Sequence, residues 1–319
     1  MRYRQAVVAD IAPCLALLRA EGGFRPSEEV WHDLPTLLEF AMRHERLASF
    51  QVFDAGSGDN PEIVAFRIAA FVDAHFAQSF FAAPHADLSA RIWALEREGR
   101  SVLLDRAATA IANARGDLRL VVLHWCVRHA NPLHPETARV LSMVPSAWGA
   151  SIGGYRFSEI VCYEVYGKAS AAVMRTFGYR SHNDSPHWQG RQTDGEALAP
   201  YAFYWRASDP PQGLSGIFGS TFANAPRPRF LFSRAQQRLL LHALEGRSDR
   251  ELAADLTISY DTVRQTWNGI FQRIDELDPA LLDERSDAQG KRGTEKRRRV
   301  IEHVRQHMEE LRPYDPRAA

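Results

Sequence analysis

The chain has 319 residues, 45% of them hydrophobic, enough for two ordinary domains with cores of their own. Its 39 basic and 39 acidic residues balance to zero net charge, which argues against a protein that coats nucleic acid through bulk charge. Three scattered cysteines, Cys14, Cys126 and Cys162, form no Cys-x-x-Cys pair, which excludes a disulfide framework and indicates a reducing compartment. The N-terminal stretch holds no apolar run long enough for a signal peptide, and no segment reaches the ~20 apolar residues of a membrane span. The expectation is a soluble, cytoplasmic protein that contacts no membrane.

In chain order, "MRYRQAV" alternates like a strand. "ADIAPCLALLRAEG" is helical in spacing, with Asp10 as its N-cap and Gly22 as its stop. "ASFQVFDA" and "EIVAFRIAAFVD" are β-rich runs split by the turn signal "GSGDN". "HADLSARIWALEREG" and "LDRAATAIANARG" have helical spacing, and the apolar run over 117–129 predicts a central strand. A helix is expected over Pro135–Ala150, opened by a proline at a tolerated first-turn position. "RFSEIVCYEVYG" reads as a strand, "KASAAVMRTFGYR" as a short helix ending at Gly178, and "AFYWRA" as the closing strand. Mixed strands and helices in this order predict an α/β (α+β) domain over 1–206.

This pattern resembles the GNAT N-acetyltransferase family, on "RYRQAVVADIAPCLALLRA" at the start and "VMRTFGYRS" at the end. The resemblance implies a cradle for the pyrophosphate of acetyl-CoA on a glycine-rich turn after the central strand, built from backbone N–H groups. Here the turn reads "HANPLHPE", without glycine, and Pro132 and Pro135 each lack an N–H. The tyrosine that serves many members as general acid falls on Met174. The expectation is therefore a domain that is not an enzyme, with no catalytic residues and no cofactor, kept for small-molecule sensing or oligomerisation. The alternative is an active acyl-CoA-dependent N-acyltransferase. His124, Cys126, His129 and His134 lie close in sequence, but His129 points away from the strand face shared by the first two. They read as core and rim residues, with no metal. "WHDL" and "PHWQG" offer no catalytic triad.

Residues 207–229 are rich in Pro, Gly, Ser and Asn and read as a linker, with Ile217, Phe218 and Phe222 expected to pack on something. Beyond it lie 18 of the basic and 16 of the acidic residues, counted from Pro226. Three helices follow. Ser233 and Gln236 make a capping box, with Leu239, Leu240, Ala243 and Leu244 apolar and Gly246 as stop. Ser248 and Glu251 make a second, with Leu252, Ala253 and Leu256 inward. After the turn "TIS", Ser259 caps a third helix with Val263, Trp267, Ile270, Phe271 and Ile274 on one face. Tyr260, Thr262, Arg264, Gln265, Asn268 and Arg273 face out.

This arrangement describes an all-α helix-turn-helix whose polar face suits the major groove. The stretch 230–275 resembles the LuxR (GerE) type of helix-turn-helix, on "EGRSDRELAADLTIS" and "TVRQTWNGIFQRI". The resemblance implies a transcription regulator that binds double-stranded DNA, with Tyr260, Thr262, Arg264, Gln265 and Asn268 as its contacts. A homodimer is expected. The extension 276–319 opens acidic, then carries "KRGTEKRRR" and a helix with Val300, Ile301, Val304, Met308 and Leu311 in a stripe. That stripe either docks on its own domain or meets a second copy.

Overall fold

The computed structural model describes residues 1–56, 61–192, 195–209, 225–282 and 292–319. The chain divides into two compact units, Met1–Asn224 with Arg317–Ala319, and Ala225–Pro316. Most of the "GSGDN" turn, the linker's Ile217, Phe218 and Phe222, the acidic 283–290 and Lys291 lie outside the described residues. No helix among the described residues is long and apolar enough to cross a membrane.

The front unit runs β1 (Arg2–Gln5), α1 (Ile11–Glu21), α2 (Glu28–Arg43), β2 (Ser49–Asp54), β3 (Ile63–Phe71), α3 (Ala74–Ala82), α4 (Leu88–Arg97), α5 (Arg106–Arg115) and β4 (Leu118–Val127). It continues with α6 (Pro135–Ile152), β5 (Phe157–Tyr166), α7 (Lys168–Thr176), β6 (Arg180–Ser181) and β7 (Pro200–Arg206). The sequence pattern gives no expectation for α2 or α3. In α2, Pro35 interrupts the reading, yet Ser27 caps it through the Val30 N–H at 3.4 Å, and Val30, Leu34, Leu38 and Ala41 bury one face. Asp10, expected to cap α1, makes no such cap. It accepts from the Arg4 guanidinium at 2.6 and 2.9 Å and from the Val7 N–H at 2.8 Å, tying β1 to the start of α1.

The seven strands form one sheet in the order β1-β2-β3-β4-β5-β7-β6. Every neighbouring pair is antiparallel except β4 and β5, which run parallel with α6 as the crossover. Helices α1–α4 pack on one face, around Leu18, Leu34, Phe66, Trp93 and Cys162. Helices α5 and α6 cover the other, around Leu120, Trp148, Ile152 and Phe157, and α7 packs there on Val165 and Phe203.

One irregularity shapes the middle of this sheet. Ile68 pairs with His124 and Ala69 with Val122, so Leu123 is an extra residue in β4. Such a bulge bends its strand. The Ser89 hydroxyl donates to the carbonyl of Leu123 and holds the bulge. The pairing of β4 with β5 ends at Val122 and Tyr163, although both strands continue, and from there β5 bonds β7 alone. The sheet opens between its two parallel strands.

The second unit is all-α: α8 (Arg234–Ala243), α9 (Asp249–Leu256), α10 (Tyr260–Leu277) and α11 (Arg292–Gln306), then a 3-10 turn over Met308–Leu311. Both capping boxes form, and Ser259 caps α10 through the Thr262 N–H at 3.0 Å. Thr257, in the left-handed region at φ 55°, ends α9. Arg273, expected to face out, folds back so that its Nε donates to the Phe230 carbonyl at 2.9 Å. Val300, Val304 and Leu311 join the core of Phe230, Leu240, Trp267 and Ile270, so the stripe docks on its own unit and is spent as a dimer contact.

Glu310 closes that core. Its carboxylate accepts from the Arg229 and Phe230 N–H groups at 2.7 and 3.0 Å. Gln237 Nε2 donates to the carbonyls of Glu310 and Arg312 at 3.1 and 2.9 Å. Glu310→Ala leaves two N–H groups without an acceptor and is expected to cost about 1–3 kcal/mol. Faster hydrogen exchange in α8 and α10 of the full chain reads the loss; unchanged protection there would refute it.

Candidate active site

The opening between β4 and β5 is flanked, on the α1–α4 face, by a group of carboxylates the sequence did not reveal. Glu164 and Tyr166 project from the end of β5, two residues apart and therefore on one face with Cys162. The Tyr166 hydroxyl donates to Glu164 Oε1 at 2.9 Å, and the Asp87 N–H donates to Oε2 at 2.8 Å. Asp87 itself sits at φ 62°, a left-handed conformation at the start of α4. Its carboxylate pairs with Arg191, whose Nη2 donates to the Gly23 carbonyl at 3.0 Å. Three chain segments therefore meet around Glu164.

Glu21, the last residue of α1, completes the group. Gly22 turns the chain at φ 73°. Gly23 then lies flat on the Tyr166 ring, where a Cβ would stand 2.3 Å from two ring carbons. Glu21 Oε2 is buried without a hydrogen-bond partner among the described residues. Burial, and then the charge of Glu164, raise the Glu21 pKa to about 7; burial, and then Asp87, raise Glu164 to about 7. Two interacting carboxylates of this kind share their protons near neutral pH. They can accept a proton from a bound ammonium group, which most surface carboxylates are too acidic to do.

The residues singled out from the sequence fall elsewhere. His124 is buried, accepts from Trp93 Nε1 at 3.0 Å, and is pushed down to about 3 by burial, so it stays neutral. Cys14, Cys126 and Cys162 are buried free thiols whose pKa values burial raises, so none is a thiolate nucleophile. His129 and His134 stack at 3.8 Å on the turn after β4. Among the described residues no group of His, Cys, Asp and Glu is placed to hold a metal ion. In the second unit, Tyr260 is 48% exposed, and Thr262, Arg264, Gln265 and Asn268 are exposed beside it on α10.

The turn after β4 is internally bonded. Leu133 N–H goes to Asn131 Oδ1, His134 N–H to the Asn131 carbonyl, and Glu136 N–H to His134 Nδ1. With Pro132 and Pro135 carrying none, this turn does not fit a pyrophosphate. Met174 is 7% exposed and packs with Val165, Ala171 and Phe203, so it belongs to the core under α7.

No protein-family model and no curated protein matches the chain. Among solved structures, it is similar to an agmatine N-acetyltransferase (S171A mutant, apo form) at 15% identity and a TM-score of 0.36, covering 64% of this chain and 98% of that one. It is also similar to a polyamine N-acetyltransferase of Drosophila melanogaster that forms N-acetylagmatine, at 14% identity and a TM-score of 0.33, covering 64% and 99%. The front unit is a mixed sheet with flanking helices, the α/β (α+β) class expected from the sequence. Both proteins so matched are N-acetyltransferases. The expectation of a chain that is not an enzyme is corrected accordingly: Met174 was the wrong place to look for a proton-transfer group, because it faces the core.

Glu164 is an ordinary carboxylate near 4.5 when unfolded and binds its proton up to about 7 when folded. The folded state thus holds more protons across that window, so this group's contribution to stability is present at low pH and lost as pH rises through about 7. Glu164→Gln imitates the protonated form. Its melting temperature is expected to fall less than that of the unmodified chain between about pH 5 and 8; parallel curves would show that Glu164 titrates normally.

Proposed function

We propose that the front unit is an N-acyltransferase, carrying an acyl group from a thioester donor of the acyl-coenzyme A kind to a primary amine. The second unit, in this reading, is a helix-turn-helix that directs it to DNA or to a partner. The observation that carries the enzymatic reading is a pair of carboxylates raised to about 7 beside an opening between two parallel strands.

An amine arrives as an ammonium ion and is drawn to the acidic group. Both Glu164 oxygens are engaged by Tyr166 and Asp87, whereas Glu21 Oε2 has no partner, so Glu21 is the base. It takes one proton from the ammonium nitrogen. The freed lone pair forms the N–C bond at the thioester carbonyl while the C–S bond breaks, and a second nitrogen proton ends on the sulfur. Glu164 holds Glu21 near neutrality by its charge. Beyond Val122, the β5-facing edge of β4 has no strand partner among the described residues, and its backbone groups suit an extended, amide-bearing donor. Since the turn after β4 offers no phosphate cradle, the donor is held mainly along this edge.

Glu21→Gln is expected to lower kcat about a hundred- to ten-thousandfold with an amine and a thioester donor. In Glu164→Gln the loss of a neighbouring negative charge lowers the Glu21 pKa, so the rise of kcat/KM with pH moves to lower pH. Unchanged rates and pH profiles in both variants would remove these roles, and no acylation of any amine would remove the reading.

For the second unit, the supporting observation is the exposed set of Arg264, Gln265 and Asn268 on a helix that follows a tight turn. If it reads duplex DNA, Arg264→Ala costs about 1–3 kcal/mol on the preferred site. Titrations of specific and scrambled duplexes at fixed salt check this; equal affinities for both, unaffected by the substitution, favour a protein partner.

A further inference from the structure

The face of the sheet opposite the carboxylates holds a buried charge of the other sign. Arg67, in the middle of β3, is 1% exposed. Its Nη2 donates to Gln51 Oε1 and to Ser151 Oγ, each at 2.6 Å, and the guanidinium lies 4.2 Å over the Trp148 ring. None of these groups is anionic, and no carboxylate among the described residues pairs with it. The donors on Nε and Nη1 are buried without an acceptor. Burial lowers its pKa to about 10, so it remains charged at neutral pH.

A buried, unpaired guanidinium with idle donors is strongly unfavourable and calls for a missing counter-ion. The surroundings indicate where one would enter. Tyr163, the last β5 residue paired with β4, and Tyr179 stand with rings 6.2 Å apart and perpendicular, and both phenols feel the charge of Arg67. Each is only half-buried, although β5 is a central strand with helices on this face. Both stand on the sheet face that Arg67 occupies, where the pairing of β4 with β5 ends. A single buried positive charge is neutralised by one carboxylate group, whereas a phosphate dianion would place two negative charges on the same buried spot.

We propose that Arg67, with Tyr163 and Tyr179, forms a receptor for a ligand carboxylate that enters where β4 and β5 part. The phenol hydroxyls and the idle guanidinium donors would surround it with charge-assisted hydrogen bonds. Two sources share this chemistry: a free small dicarboxylate, or the far end of a dicarboxylic acyl chain on the thioester donor. The second source rests on the acyltransferase reading, and there Arg67 selects the donor.

The test uses the full chain. Melting temperature is measured with succinate and with uncharged succinamide, and acyl transfer to a common amine is compared for succinyl- and acetyl-coenzyme A. Succinate is expected to raise the melting temperature where succinamide does not, or the succinyl donor to exceed the acetyl donor at least ~10-fold in kcat/KM. Arg67→Gln abolishes the discrimination; should it fail to fold, Tyr179→Phe weakens it with the charge retained. If carboxylated and uncharged ligands behave alike in the unmodified chain, the receptor is overturned, even where acetyl transfer proceeds and the acyltransferase reading stands. Succinate binding without turnover of any donor supports the receptor and defeats that reading instead.

Discussion

The extra residue at Leu123 bends β4 away from β5 and opens the sheet at the one place where two parallel strands meet. A parallel pair joined through α6 can open in this way, because β5 keeps its other edge bonded to β7. Beyond Val122 and Tyr163 the two parallel strands no longer bond one another. Glu164 and Tyr166 reach one side of this opening and Tyr163 the other, simply because successive residues of a strand point to opposite faces.

Charge is distributed across that opening with opposite sign on each face. On the α1–α4 side, burial raises two carboxylates to about 7, with the charge of Glu164 adding at Glu21 and that of Asp87 adding at Glu164, while Arg191 acts against both Asp87 and Glu164. On the α5–α7 side, Arg67 remains charged with neutral partners. Buried ionisable groups left in such states are costly to the fold, and sites with perturbed acidity are where chemistry is commonly carried out.

The second unit depends on local signals. Serine caps at 233, 248 and 259 fix where three helices begin, and the apolar spacing of α10 fixes which face turns inward. Glu310 then anchors the segment entering the unit to its closing turn through two backbone N–H groups. The same carboxylate explains why the region after α11 belongs to this core.

Most strands and helices apart from α2 and α3, the caps of the second unit and the exposed face of α10 were legible in the sequence, because they rest on contacts within a few residues and on periodicity. The stripe of α11 was legible too, but not what covers it. The candidate site was not. Glu21 ends a helix and Glu164 sits in an apolar strand, 143 positions apart in the numbering of the chain; nothing local marks either as a base. Their acidity comes from burial first, then from Glu164 at Glu21 and from Asp87 at Glu164, groups that the fold and not the sequence brings together. Met174 misled for the same reason, since alignment along the chain assigned it a role that its packing under α7 rules out. The sequence by itself determined most of the elements and the apolar faces of the second unit; tertiary structure decided which charges are buried together, because desolvation and Coulomb interaction depend on distance in space and not along the chain.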